Sequence, residues 1–295
     1  MTAVMLLGAG YGTRLKPLTE ECPKALVPIG DRPLLAHQIE RLRARLGNAT
    51  IVVNAHHFSE QIVDFIVGYD PTIQVIVEPE LLGTAGGARG AKNLLGYEPL
   101  LVVNVDVFSR PNYLNLMNIA ESGGLALSIA AQPKGQGTVG IGELGNIVRI
   151  RGQTFGVETR GGDYTGVAAI GSGVARQLPK QGCLVGDFIL PLLRSGFEVQ
   201  SVDETSTWAD VGNLASYARA NFDWLHENLL DNWASSSAEI EDQVHLQQAI
   251  VGQGARIDGS GVLCRAIIWP KAHLDTPRSD VIVTTRGAVV SIPGE

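Results

Sequence analysis

The chain has 295 residues, 45% of them hydrophobic and 18% charged, with a formal net charge of −7 and a pI of about 5.4. That length allows one large domain, or one large and one small, around a substantial core, and the composition is that of a globular protein. No basic stripe or Lys/Arg run occurs, so the acidic balance speaks against a nucleic-acid binder, while a local cluster of two or three cations can still hold a phosphate.

The first residues, MTAVMLLG, lack the basic segment and the length of a signal peptide, and no apolar run approaches a membrane span. Cys22, Cys183 and Cys264 are odd in number and far apart, without metal-ligand spacing. The expectation is a reduced, cytoplasmic protein whose cysteines serve as small apolar residues.

In chain order, residues 4–7 form a short apolar run ending in glycine. Residues 33–46 carry Leu34, Leu35, Ile39, Leu42 and Leu46 at helical spacing. A strand follows at 50–53, and a helix at 59–67 after Ser59, a residue able to cap it. Residues 73–77 read as strand, 84–95 as a helix of small residues, and 100–105 as a buried strand running into Asp106. Continuous apolar strands separated by helices predict a Rossmann-like, mostly parallel sheet covered on both faces.

After residue 121 the texture changes. Residues 125–131, 138–141, 147–150 and 164–170 read as short strands broken by glycine turns, an antiparallel addition. Residues 186–193 and 214–228 return to helix. Residues 229–239, with Ser235, Ser236 and Ser237, read as a linker. The segment 240–295 reads as very short strands at an irregular period near six, with AIVGQGARIDGSGV and AIIWPKAHLD as two rungs of a hexapeptide-type β-helix. Such rungs must stack on one another or on the main domain.

The glycine-rich turn after the first strand, GAGYGTRLKPLTEECPKAL, is the most informative stretch. Bare backbone N–H groups can approach anionic oxygens there. A P-loop requires Lys-Ser/Thr after its last glycine, whereas Gly12 is followed by Thr13 and Arg14. A Rossmann dinucleotide turn requires G-x-G-x-x-G and an acid ending the second strand. Here Gly8, Gly10 and Gly12 are spaced G-x-G-x-G, and Asn54 stands at the strand end. Glycines alone would fit a plain β–α turn. Arg14 adds a planar fork for paired phosphate oxygens and Lys24 a compact mobile charge, a combination suited to a triphosphate.

With GAGYGTRLKPLTEECPKALVPIGDRPLL, four further stretches occur in order: VEPELLGTAGGARGA, LVVNVDVFS, YTGVAAI and WADVGNLASYARAN. Together they resemble the sugar-1-phosphate nucleotidyltransferases over roughly residues 3–222. The resemblance implies a GT-A-like catalytic domain at 1–228, a left-handed β-helix tail at 240–295, and homo-oligomer assembly as a role open to that tail. It implies transfer from an NTP to a sugar 1-phosphate with release of pyrophosphate, by in-line attack on the α-phosphorus with Mg²⁺ and no protein nucleophile. Neither nucleic acid nor membrane is implied as a partner.

By the same resemblance, Asp106 and Asp210 hold the metal, and Arg14, Lys24 and Asp106 carry catalysis. Leu7, Gly8, Ala9, Gly10, Tyr11, Gly12 and Thr13 wrap the nucleotide, with Glu78, Gly83 and Thr84 lining the base. Asn104, Gly137, Thr165 and Gly166 face the sugar. His56 and His57 read as surface or rim residues, since adjacent side chains project differently.

Three departures stand out. Val105 replaces the glycine before the metal-binding Asp, Gly8 replaces an alanine, and no Glu-Lys-Pro lies between Ile150 and Tyr164, where Arg151 and Arg160 are the nearby cations. LGTAGG resembles guanylyltransferases acting on mannose or heptose 1-phosphate, the preferred reading. VNAHHFSEQI and LVVNVDV resemble the N-acetylmuramate-1-phosphate uridylyltransferases. A catalytically silent, nucleotide-sugar-binding regulator is the reading that Val105 keeps open, and a dinucleotide-dependent oxidoreductase is the one the glycine spacing disfavours.

Overall fold

The computed structural model describes residues 2–96, 98–109, 111–204 and 208–293, with the backbone alone for Lys92 and Asn93. Its contacts divide the chain into two compact units that are discontinuous in sequence. One comprises residues 1–10 and 38–208, the other residues 11–37 and 209–295.

The first unit is a mixed α/β sheet. Its parallel part follows from the apolar runs: Ala3–Leu7 pairs in parallel with Thr50–Ala55 on one side and Leu100–Asn104 on the other, and Gln74–Val77 extends the Thr50–Ala55 edge. Beyond Leu100–Asn104 the sheet turns antiparallel through Arg160–Ile170, which also pairs with Leu125–Gln132 and Val139–Ile141. Both faces are covered, as continuous apolar strands require. Met5, Val52 and Val102 share a core with Ala85, Ala88 and Leu95, while the alternate residues Leu6, Val53 and Val103 are equally buried.

The expected elements appear, with local differences. The helix expected over 84–95 is two, Gly83–Gly90 and Lys92–Leu95. Ser59 does not cap its helix: the cap position is Phe58 in the left-handed region, without a side-chain bond, and Ser59 is the first helical residue. Among the elements without an expectation, two are substantial. Tyr113–Glu121 is a helix capped by Asn112, whose side chain accepts from the Asn115 N–H at 3.1 Å. Val199–Asp203 is a strand lying parallel to Leu125–Gln132.

In the second unit, residues 11–37 form short helical turns and a two-residue hairpin, Pro28–Ile29 with Arg32–Pro33. The helix Leu214–Glu227 opens with a capping box in which Asn213 and Ser216 satisfy each other's backbone. After it the chain coils. Val244 pairs in parallel with Gly261 and Arg256 with His273, 17 residues on in each case. Val251, Ile268 and Val283 stack in register and are buried, the inward face expected of a β-helix rung. The segment read as a linker joins this coil: Trp233 and Ala234 pair with Ile250 and Val251, and the Ser237 hydroxyl accepts from the Gly254 N–H. Gly294 and Glu295, the end of the expected tail, lie outside the described residues.

Candidate functional site

In the first unit the expected residues gather beyond the carboxyl ends of the parallel strands, where α/β sheets bind ligands. The strand Ala3–Leu7 delivers Gly8, whose N–H donates to Asn54 Oδ1 at 2.8 Å. Asn54 Nδ2 donates to Glu78 Oε1 at 2.7 Å, and Glu78 Oε2 accepts from the Leu82 N–H at 3.2 Å. Asn54 and Glu78 are each only 3% exposed, so this relay is internal. Glu78, expected to line the base, therefore fastens the glycine turn to the 78–82 segment. The Gly8 N–H is likewise committed. Gly87 is bare because a Cβ there would lie 2.6 Å from Asn54 Nδ2 and 3.0 Å from Glu78 Oε1. His56 Nδ1 bonds the Glu78 carbonyl at 2.8 Å, and His57 lies against the Phe58 ring.

Gly83 and Thr84 also have structural partners. Thr84 Oγ1 accepts from the Leu184 N–H at 2.7 Å. The Ala85 N–H bonds Gly182 O at 2.9 Å, and a Cβ on Gly83, which sits at φ 74°, would strike that same oxygen. The LGTAGG stretch thus docks residues 180–184.

Asn104 and Gly166 are in direct apposition: a Cβ on Gly166, at φ 91°, would lie 2.9 Å from Asn104 Nδ2. The strand pairing shifts between Tyr164 and Ala168, so this glycine sits in the irregularity. Thr165 is buried and donates to Ser128 O at 3.2 Å, while the Trp208 indole donates to Thr165 O at 3.3 Å. Gly137 is exposed in the loop between Leu125–Gln132 and Val139–Ile141, against the Gly162 carbonyl. Burial, with the Cys183 thiol and the Asp106 carboxylate nearby, pushes the Tyr164 hydroxyl up, so it stays a neutral phenol.

Val105 does not obstruct this arrangement by exposure. Its side chain is buried, its N–H donates to Leu7 O at 3.2 Å and its carbonyl accepts from Gln38. Of the two cations near the absent lysine motif, Arg160 pairs with Asp203 at 2.7 Å, whereas Arg151 Nη2 lies 3.2 Å from Cys183 Sγ.

The second unit carries the charged part. Gly12 adopts φ 63°, a left-handed turn, and a Cβ there would meet the Thr19 methyl at 2.7 Å and Lys24 Cβ at 3.1 Å. Thr19 Oγ1 donates to Gly12 O at 2.9 Å. Lys24 Nζ stands 4.0 Å from Asp210 Oδ1, with side chains 12% and 45% exposed. Gly212 is bare beside this pair: a Cβ would fall 2.9 Å from Asp210 Oδ2 and 3.0 Å from Arg14 Nη2. Arg14 and Lys24, on one stretch, are thus brought together around two glycines with Asp210, which is far along the chain. Tyr11, half exposed, and the exposed Thr13 flank Gly12 in the sequence of this turn.

Sequence reasoning missed Asn54 as a tether, along with Thr19, Gly87 and Gly212. In the sequence Asn54 marks only the position at which a Rossmann turn would carry an acid. Among the described residues, no helix is long and apolar enough to cross a membrane.

The first unit thus has parallel strands ending in a glycine turn, and the second has two cations and a carboxylate grouped by Gly12 and Gly212, chemistry able to hold a phosphate chain. The Nucleotidyl transferase family profile matches residues 3–150, and the chain belongs to that family. A rice protein (Oryza sativa subsp. japonica) named "Probable mannose-1-phosphate guanylyltransferase 2" is 25% identical over 271 residues, covering 87% of this chain and 74% of its own. A mannose-1-phosphate guanyltransferase of Debaryomyces hansenii is 39% identical over 139 residues, covering 45% of this chain and 38% of its own. The crystal structure of HddC from Yersinia pseudotuberculosis complexed with GMP-PN shares the fold. Its TM-score is 0.63 at 21% identity, over 76% of this chain and all of that one.

Proposed function

We propose that the chain transfers a guanylyl group from GTP to a mannose-type sugar 1-phosphate, releasing pyrophosphate. The observation that carries this reading is the grouping of Arg14, Lys24 and Asp210 around Gly12 and Gly212. The names of the relatives supply the nucleotide and the sugar. A phosphate oxygen of the sugar phosphate attacks the α-phosphorus in line, the bond to the bridging oxygen breaks, and the electron pair leaves with pyrophosphate. The Arg14 fork and the Lys24 ammonium offset charge growing on that leaving group. Tyr11, Gly10 and Thr13 border the nucleotide, and Asn104, Thr165 and Gly166 border the sugar.

Asp106 and Asp210 are the proposed ligands of a Mg²⁺ ion. Both offer the hard carboxylate oxygens that ion takes, and Gly212 leaves the space beside the Asp210 carboxylate clear, so the donor set fits. When bound, the ion would withdraw charge from phosphoryl oxygens. The cysteines, all free thiols, suit the cytoplasm as the place of action.

The test is pyrophosphate release across four NTPs and several sugar 1-phosphates. Turnover is expected with GTP and mannose 1-phosphate. In that assay Lys24→Ala and Asp210→Asn should each lower kcat by about 10²–10³-fold, the scale set by loss of one preorganised charge-stabilising group. Turnover with UTP and an N-acetylated sugar phosphate alone would move the chain to the uridylyl branch. Full activity in Asp210→Asn would remove that residue from the metal.

A further inference from the structure

Residues 11–37 group with residues 209–295, and particular buried contacts hold them there. Lys24 sits in a single helical turn, Lys24–Leu26, three residues long and too short to hold itself. Its position is imposed from both sides. On the N-terminal side, the Glu21 carboxylate accepts from the Arg286 N–H at 3.0 Å and from the Thr284 hydroxyl, tying the segment to the final turn of the coil. Thr284 is fully buried.

On the C-terminal side, Pro28 O accepts from the Tyr217 hydroxyl at 2.8 Å, and that oxygen in turn accepts from the Trp269 indole N–H at 2.9 Å. The Gly30 N–H donates to Asn221 Oδ1 at 2.9 Å. Tyr217 and Asn221 are fully buried and Trp269 is 3% exposed, so these bonds form away from water and fix the groups they join. Burial, with Glu21 beside it, also pushes the Cys22 thiol up to about 12. The clamped segment then meets the glycine turn through Lys24 Cβ and Thr19, both packed on Gly12.

We propose that the C-terminal coil is part of the catalytic apparatus: Trp269 through Tyr217, and Thr284 through Glu21, are positioning residues for Lys24. None of the four touches substrate. They set where the Lys24 ammonium stands relative to Gly12 and Asp210, and the coil thereby controls the phosphate-binding segment. This rests on the reading of Lys24 as a phosphate ligand.

The experiment uses the full chain with Thr284→Val, which replaces the hydroxyl by a methyl group, Thr284→Ser, which keeps the hydroxyl, and Trp269→Phe, which removes the indole donor. Hydrogen exchange over residues 17–30, kcat for pyrophosphate release, and GTP affinity by calorimetry are measured for each. Thr284→Val and Trp269→Phe should speed exchange over 17–30 while leaving 3–7 unchanged, and should lower kcat about tenfold, since small misplacements of a catalytic group carry such losses. Thr284→Ser should restore both.

In a Lys24→Ala background the same substitutions should cost nothing further, because their effect runs through that side chain. An equal loss in both backgrounds, or faster exchange with unchanged kcat, overturns the proposal, as does exchange that does not change at all. If no substrate pair turns over, the proposed function fails separately, and Lys24-dependent GTP affinity gives the same comparison.

Discussion

Asn54 and Gly87 show how a single residue can matter to a ligand it does not touch. Asn54 links the Gly8 N–H to the Glu78 carboxylate, and the missing side chain of Gly87 leaves room for that link. Gly87→Ala should push the Asn54 amide off Glu78, leaving a buried carboxylate and a buried N–H short of partners. Each lost partner costs about 1–3 kcal/mol. The expected result is a lower thermal midpoint together with a raised KM for the nucleotide and an unchanged KM for the sugar phosphate. Equal changes in both constants would show that the relay does not act on the glycine turn. This residue was legible only in part. The sequence placed Asn54 at a strand end and Glu78 beside the LGTAGG stretch, but which polar groups satisfy one another depends on distances between strands, and spacing along the chain does not carry them. Arg14 and Lys24 stand out by their place in the glycine-rich stretch, whereas Asp106 and Asp210 are singled out only by the motifs around them, since an Asp at a strand end more often serves a turn or cap.

At the level of elements, the strands and helices of the first unit were readable because burial on both faces forces continuous apolar runs, as in LLVVN and AVMLL. The helix Tyr113–Glu121 escaped because its apolar residues are interrupted by Asn115 and Asn118, and its start rests on the Asn112 cap. Residues 184–189 form a wider π-type turn ahead of the helix Leu190–Arg194, held where Thr84 accepts from Leu184, a long-range bond no local pattern announces. The hairpin at Pro28–Ile29 gives the sharpest test at this scale. Gly30, at φ 60°, lies so close to the Trp224 ring that a Cβ would sit inside van der Waals contact with it. Gly30→Ala combines that overpacking with a left-handed backbone, together roughly 2–4 kcal/mol. A fall of about 5 °C or more in the thermal midpoint by circular dichroism is expected. A shift below 1 °C would mean that Trp224 has room to move away.

On the scale of the whole molecule, the chain does not divide along its length. A contiguous reading separates residues 1–228 from 240–295, yet the segment carrying Arg14 and Lys24 groups with the helix Leu214–Glu227 and with the coil. The sequence could not reveal this, because the joining groups (Glu21 with Thr284, Tyr217 with Trp269) are 263 and 52 residues apart. Removing the coil would therefore do more than shorten the protein. It would leave the Tyr217 hydroxyl without its indole donor, the Glu21 carboxylate without the 284–286 turn, and the Phe222 ring without the Arg265 guanidinium that stands 5.0 Å from its centroid. It would also take Trp233 from the edge of the Trp224 ring, 5.9 Å between centroids, and bared aromatic surface of this kind promotes association. A chain ending at residue 232 should consequently be recovered mainly as aggregate, and its soluble fraction should release pyrophosphate at least tenfold more slowly than the full chain. Size-exclusion chromatography with an assay of the monomer peak reads both. A monodisperse truncated chain with full kcat would show that residues 1–232 hold Lys24 unaided, and that the buried contacts of Trp269 and Thr284 serve only the coil's own stability.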